Sequence, residues 1–216
     1  MRDLAKYKRI YGEFAADADF INEIIINLNL EKDSKILDVG TGMGAMSVLL
    51  ALNGFHILTG EPKIDPERDG EDHHGHHHED NDEFHHEKHV AHNWESWNDW
   101  RIPAKSLGVE DKIQYQNFDV QNLSFTSQSF DSIFLYDTFQ HIKNREKALN
   151  ECVRVVKNDG VIVVVEWTKK QIEEDFKKYG YKIEYIDPRD FNNREDIFIE
   201  EFNSKVVNVF LIRHST

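Results

Sequence analysis

Apolar residues in this chain fall into short blocks separated by turn-forming residues, and the spacing inside each block differs. Over the first 30 residues, Phe20, Ile24, Ile25 and Leu28 recur every three or four positions, which predicts a helical opening with one apolar face. The pattern then becomes near-continuous. KILDVG at 35–40, FHILTG at 55–60, KIQYQNF at 112–118 and FDSIFLYD at 130–137 read as strands, followed by VIVVVEW at 161–167, KIEYID at 182–187 and KVVNVFLIR at 205–213. Several are apolar almost throughout, as strands covered on both faces must be. Helix-like segments lie between most of them: Ala45–Asn53, Trp94–Leu107, Asn144–Lys157 and Lys169–Tyr179. Strand and helix in alternation predict an α/β fold with a mostly parallel, seven-stranded sheet and helices on both faces. No helix pattern separates the last two strands, so they are expected to form an antiparallel pair at one edge.

One stretch breaks the alternation. About 30 residues separate the second strand from the helix near Trp94, where such connections usually run about 2–6. The sequence therefore predicts one domain, 1–216, with an insertion at 63–93. The charge confirms its separate character. The whole chain carries a formal −14, yet residues 61–92 hold eleven acids and three bases, a local −8. Nine of the twelve histidines fall there too: His73, His74, His76, His77, His78, His85, His86, His89 and His92. An acidic chain without a basic stripe is a poor nucleic-acid binder. No apolar run approaches membrane-spanning length, and the N-terminal residues lack a signal core. Cys152 is the only cysteine, which excludes an internal disulfide and suits a reducing cytoplasm.

The sharpest local signal is Ile36-Leu37-Asp38-Val39-Gly40-Thr41-Gly42-Met43-Gly44. A buried strand enters a glycine-rich turn and an apolar helix begins directly after it, the arrangement that lets a nucleotide approach the backbone. Glu61 closes the next strand, 23 residues after Asp38, where a carboxylate can accept both hydroxyls of a ribose. A plain tight turn with an ordinary surface acid is the simpler alternative. Gly40-Thr41-Gly42-Met43-Gly44-Ala45 also fits a dinucleotide pattern, and a nicotinamide-dependent oxidoreductase is one rival. Asp38 weighs against it, because a carboxylate before the turn repels a pyrophosphate and suits a cationic amino acid group.

Here the chain resembles the class I S-adenosylmethionine-dependent methyltransferases, which have a Rossmann-like fold and an acid before a G-x-G-x-G loop. Asp119-Val120, Ser129–Phe134, Asp137–Ile142 and Leu149–Gly160 continue the resemblance along the chain. It implies that Asp38, Gly40, Gly42 and Gly44 line the methionine part of S-adenosylmethionine, Glu61 the ribose, and Asp119 with Val120 the adenine. Tyr11 would close over the site. Asp137 and His141 would face the transferring methyl group. His141 is the natural base if the acceptor must lose a proton, with packing at a strand end as the alternative. No Asn/Asp-Pro-Pro-Tyr motif follows the fourth strand, so a small molecule is the default acceptor.

In the insertion, imidazole and carboxylate form a ligand set suited to Zn, Ni or Co. If 82–92 is helical, Asp82, His85 or His86, His89 and His92 share a face, and His76 and His78 come from the preceding run. A solvated low-complexity loop or a pH-responsive segment is the alternative. A metal buffer or sensor on a methyltransferase-like fold is the corresponding functional rival. Trp97 and Trp100 fit core or interface better than a substrate platform.

Overall fold

The computed structural model describes residues 2–63, 99–180 and 183–215. Within them a seven-stranded sheet has the order β3-β2-β1-β4-β5-β7-β6. The strands are β1 (Ile36–Val39), β2 (Ile57–Gly60), β3 (Ile113–Tyr115), β4 (Phe130–Tyr136), β5 (Val156–Trp167), β6 (Ile197–Asn203) and β7 (Val207–His214). β1 pairs in parallel with β2 and β4, β2 with β3, and β4 with β5. β7 runs antiparallel to both β5 and β6. The sheet is therefore mostly parallel with an antiparallel β5-β7-β6 end, as the missing helix before the last strand led us to expect.

The helices are α1 (Arg2–Tyr11), α2 (Ala18–Asn27), α3 (Ala45–Leu52), α4 (Arg101–Leu107), α5 (Arg145–Val155) and α6 (Lys169–Tyr179). Gly12, at φ 56°, breaks the opening helix into α1 and α2 through a 3-10 turn at Gly12–Ala15. Alternation along the central strands sends side chains to two separate cores. Val161, Val163 and Val165 pack with α1–α4, whereas Ile162 and Val164 pack with Leu149, Cys152 and Val153 of α5. Burying each such side chain is worth about 1.5–3 kcal/mol, which makes the sheet a rigid platform.

One strand assignment is corrected. The segment 182–187 is not a strand where it is described, and β6 is instead Ile197–Asn203. Only Ile186 of the earlier segment enters the core, and Asp187-Pro188 starts a 3-10 turn immediately after it. Proline cannot donate to a ladder, whereas IFIEEFN offers seven unbroken positions to β7. Its acids disguised it. Glu200 and Glu201 pair with Arg213 and Arg189 rather than marking a loop. Among the described residues, no helix is long and apolar enough to cross a membrane.

Candidate functional site

The parallel register brings the C-terminal ends of β1, β2, β3 and β4 to one edge, where open α/β sheets bind ligands. Between β1 and α3 the chain turns through Gly40, Gly42 and Gly44, all with positive φ. Two of these positions admit no side chain. A Cβ on Gly40 would stand 2.4 Å from Thr138 Oγ1, and one on Gly44 would stand 2.7 Å from Trp100 Cβ. The loop is thus pressed between the turn after β4 and the start of α4. Its ends are held by Gly40 N donating to the Gly60 carbonyl at 2.9 Å and Gly44 N donating to the Thr41 carbonyl at 2.7 Å.

Asp38 lies under this loop, 1% exposed. Ser47 Oγ and Thr59 Oγ1 (3.0 Å) both donate to its Oδ2, and the Thr41 hydroxyl supports Thr59 at 2.9 Å. Its Oδ1 is buried and has no partner among the described residues. Burial pushes the carboxyl up to about 7; the Ser47 and Thr59 bonds oppose that rise and the nearby Glu61 charge adds to it. A buried carboxylate oxygen without a donor is costly, and a cation placed against it removes the cost. That fits the ammonium group of a methionine moiety and disfavours a pyrophosphate.

Tyr11 is buried, and its hydroxyl donates to the Met43 carbonyl at 3.2 Å. Tyr7, whose ring centroid lies 4.6 Å away, donates to the Ala45 carbonyl at 3.0 Å. Burial raises both phenols well above their ordinary range, so they remain protonated donors. The first helix therefore ties directly to the glycine loop.

Glu61 is half-buried at the end of β2, where its carbonyl accepts from Phe118 N at 3.2 Å. Burial is the main cause of the rise at both Asp38 and the Tyr115 phenol, and the Glu61 charge adds to each. Asp119 is exposed beyond β3 and uses Oδ1 to cap the 3-10 turn Val120–Asn122, accepting from Gln121 N at 2.8 Å. Val120 is buried beside it.

At the end of β4, Asp137 adopts a left-handed conformation, φ 51°. Its Oδ1 accepts from Trp167 Nε1 at 2.6 Å and from Gln140. Burial raises its carboxyl; Trp167, the His141 charge and Gln140 work against that. His141 is exposed at the end of the Phe139–His141 turn. Two residues that escaped the sequence reading hold this turn. Glu166, 3% exposed, accepts from Phe139 N at 2.7 Å, with the Thr138 and Gln140 backbone also bonded to it. Burial foremost, then the Asp137 charge, pushes Glu166 up to about 8. From the other side, Arg145 donates to the carbonyls of Phe139 (3.1 Å) and Gln140 (2.7 Å) and lies over the Phe191 ring. The available signal for Glu166 was a lone acid inside VIVVVEW; nothing local marked Arg145.

The histidines expected to bind metal, His76, His78, His85, His86, His89 and His92, lie outside the described residues. Among the described residues no cluster of three or more His, Cys, Asp or Glu side chains is arranged to hold a metal.

Comparison with known proteins agrees with this geometry. Residues 95–164 match a family model described as a methyltransferase domain. A sterol 24-C-methyltransferase from Clavispora lusitaniae is 31% identical over 99 residues, covering 42% of this chain and 26% of that protein. The ubiquinone/menaquinone biosynthesis C-methyltransferase UbiE of Campylobacter jejuni is 36% identical over 59 residues, 27% of this chain and 25% of that protein. The matches thus span about a quarter of these curated relatives. A Methanococcus maripaludis structure described as an S-adenosyl-L-methionine-dependent methyltransferase aligns over 99% of this chain and 92% of its own, with TM-score 0.61 and 16% identity. That likeness establishes a shared fold. Over the matched parts, the chain is thus similar to a methyltransferase domain and to methyltransferase-named proteins.

Proposed function

We propose that this protein transfers a methyl group from S-adenosylmethionine to a small-molecule acceptor, acting as one domain with an insertion at 63–93. The observation that carries this reading is the unpartnered Asp38 Oδ1 buried beneath a glycine loop that shares its sheet edge with Glu61 and Asp119. When bound, the cofactor supplies a methyl carbon already activated by a sulfonium. The chain's task is alignment and exclusion of water rather than strong acid–base chemistry. Asp38 would hold the ammonium end, with Gly40, Gly42 and Gly44 giving the backbone room beside it. Glu61 would accept from the ribose, Asp119 from the adenine amino group, and Val120 would pack against the base. Tyr11 would seal the methionine end. Asp137 and His141 would orient the acceptor, and an imidazole nitrogen of His141 would take a proton where the acceptor has one to lose.

An apolar acceptor suits the rim. Glu13 accepts from Lys178 Nζ at 2.7 Å and Tyr179 Oη at 2.6 Å, joining the N-terminal segment to α6. Tyr136 donates to the Phe14 carbonyl at 2.8 Å, so the backbone at Phe14, whose ring is exposed, sits beside the end of β4. The relatives named for sterol and quinone methylation act on molecules of that apolar kind. We further propose that the histidine-rich run binds Zn or Ni, on its ligand composition. The cytoplasm is the proposed compartment, because the single Cys152 excludes an internal disulfide, which suits a reducing environment.

Titration calorimetry with S-adenosylmethionine, with and without Zn or Ni, tests these readings together. Saturable cofactor binding is expected. Absence of binding under both conditions would end the enzyme reading and favour a metal buffer or sensor. Metal affinity unchanged after replacing all nine histidines would end the insertion reading.

A further inference from the structure

Trp100 combines two features that packing alone does not account for. It is 6% exposed, and its indole Nε1 is buried without a hydrogen-bond partner among the described residues. It also adjoins the cofactor loop: its Cβ and Cα crowd the position a Gly44 side chain would take, with the Tyr11 hydroxyl 3.7 Å from that same point. The Arg101 guanidinium lies over the ring, 4.7 Å from its centroid, and gives the indole a positive neighbour.

A buried N–H is normally satisfied, because water is lost on burial and something must replace it. Trp can only donate, so the missing partner is an acceptor. Asp38, at the other end of the same loop, shows the opposite deficiency: a buried acceptor, Oδ1, with no donor. The unmet donor belongs to the residue whose Cβ packs on Gly44, and the unmet acceptor to the residue two positions before Gly40. An α-amino acid zwitterion has one group for each.

We infer that Trp100 is a cofactor-binding residue whose indole N–H receives the carboxylate of the methionine moiety, opposite the ammonium group held by Asp38. The inference rests on the proposed cofactor reading and adds a residue to it. The Cβ and Cα of Trp100 wall the loop at Gly44, while Nε1 distinguishes a complete amino acid end from a truncated one.

The test compares two ligands that share a nucleoside and a thioether. S-adenosylhomocysteine carries the amino acid end, and 5′-methylthioadenosine lacks it. Calorimetry on the wild-type chain and on Trp100→Phe should show S-adenosylhomocysteine weakened about tenfold, the loss of one charged hydrogen bond, with methylthioadenosine unchanged. Equal weakening of both ligands, or of neither, overturns the inference. A second measurement needs no variant. With indole-15N tryptophan in the wild-type chain, the Trp100 N–H resonance should move downfield with S-adenosylhomocysteine and stay in place with methylthioadenosine; a resonance indifferent to both overturns the inference. Wild-type protein that gains affinity from the amino acid end, with Trp100→Phe losing none of that gain, defeats the Trp100 assignment and leaves the cofactor reading standing; wild-type protein that gains nothing from the amino acid end defeats the Asp38 contact as well. Protein that binds neither ligand defeats the cofactor reading and this inference with it.

Discussion

The glycine loop after β1 and the turn after β4 meet where Gly40 packs on Thr138, yet they are built by different means. The first is a local device. Glycines supply the left-handed backbone, and the acid that matters stands two residues before them. The second is assembled from distant chain. Phe139 N is held by Glu166, 27 residues on in sequence, and the Phe139 and Gln140 carbonyls by Arg145 of α5. Asp137 takes its left-handed geometry with a Trp167 hydrogen bond to its side chain. A loop that carries its own conformational instructions can be recognised in isolation. A turn clamped from outside cannot.

Gly40→Ala attacks the contact between the two and should have the largest effect. The new Cβ meets Thr138 at 2.4 Å in a backbone conformation unfavourable to L side chains, so a loss of about 3 kcal/mol is expected in denaturant unfolding. Adding Thr138→Ala removes the Oγ1 and Cγ2 clashes and should recover part of that loss; no recovery would show that the two regions are not pressed together.

Glu166→Leu affects only the assembled turn. Leaving the buried N–H groups of the turn without their acceptor should cost about 2 kcal/mol, and Glu166→Gln, which keeps one acceptor oxygen, about half as much. S-adenosylhomocysteine affinity should fall less than in Gly40→Ala, since the glycine loop keeps its own geometry. Equal losses of affinity in the two variants would erase the distinction between the regions.

A third effect is in pH. Asp38 and Glu166 sit at about 7 and about 8 when folded, against about 4 for unfolded carboxylates. In that window the folded chain keeps protons that the unfolded chain has released, so their contribution to stability is fully present below pH 4 and is lost as pH rises through 8. The thermal midpoint of the ligand-free protein should decline across that range. Between about pH 4 and 7 both groups contribute, so either Glu166→Gln or Asp38→Asn should roughly halve the slope there, and between about pH 7 and 8 only Glu166→Gln should flatten it. An unchanged slope in both would remove the buried acids as its source.

Much of the glycine-loop side was legible because its signals are local. Apolar runs of strand length mark β1, β2 and β4. Asp38 and Glu61 are separated by a spacing that one helix and one strand account for. Reading failed where partners are remote. KIEYID has the alternation of a strand but ends at Pro188, whereas IFIEEFN hides two strand acids that only Arg189 and Arg213 neutralise. Trp100 resembled core, and packing does bury it; that its indole N–H is unmet and its Cβ lies against Gly44 appears only in three dimensions.

The sequence by itself determined the α/β class, the glycine turn and the acids at the strand ends, because backbone propensity and side-chain periodicity act within a few residues. Tertiary structure alone decided which strand forms the sheet edge, that Asp38 has a vacant buried oxygen, and that Glu166 and Arg145 clamp the turn beside it. Those features depend on which groups lose water together and which find partners, and that is settled by packing across the chain.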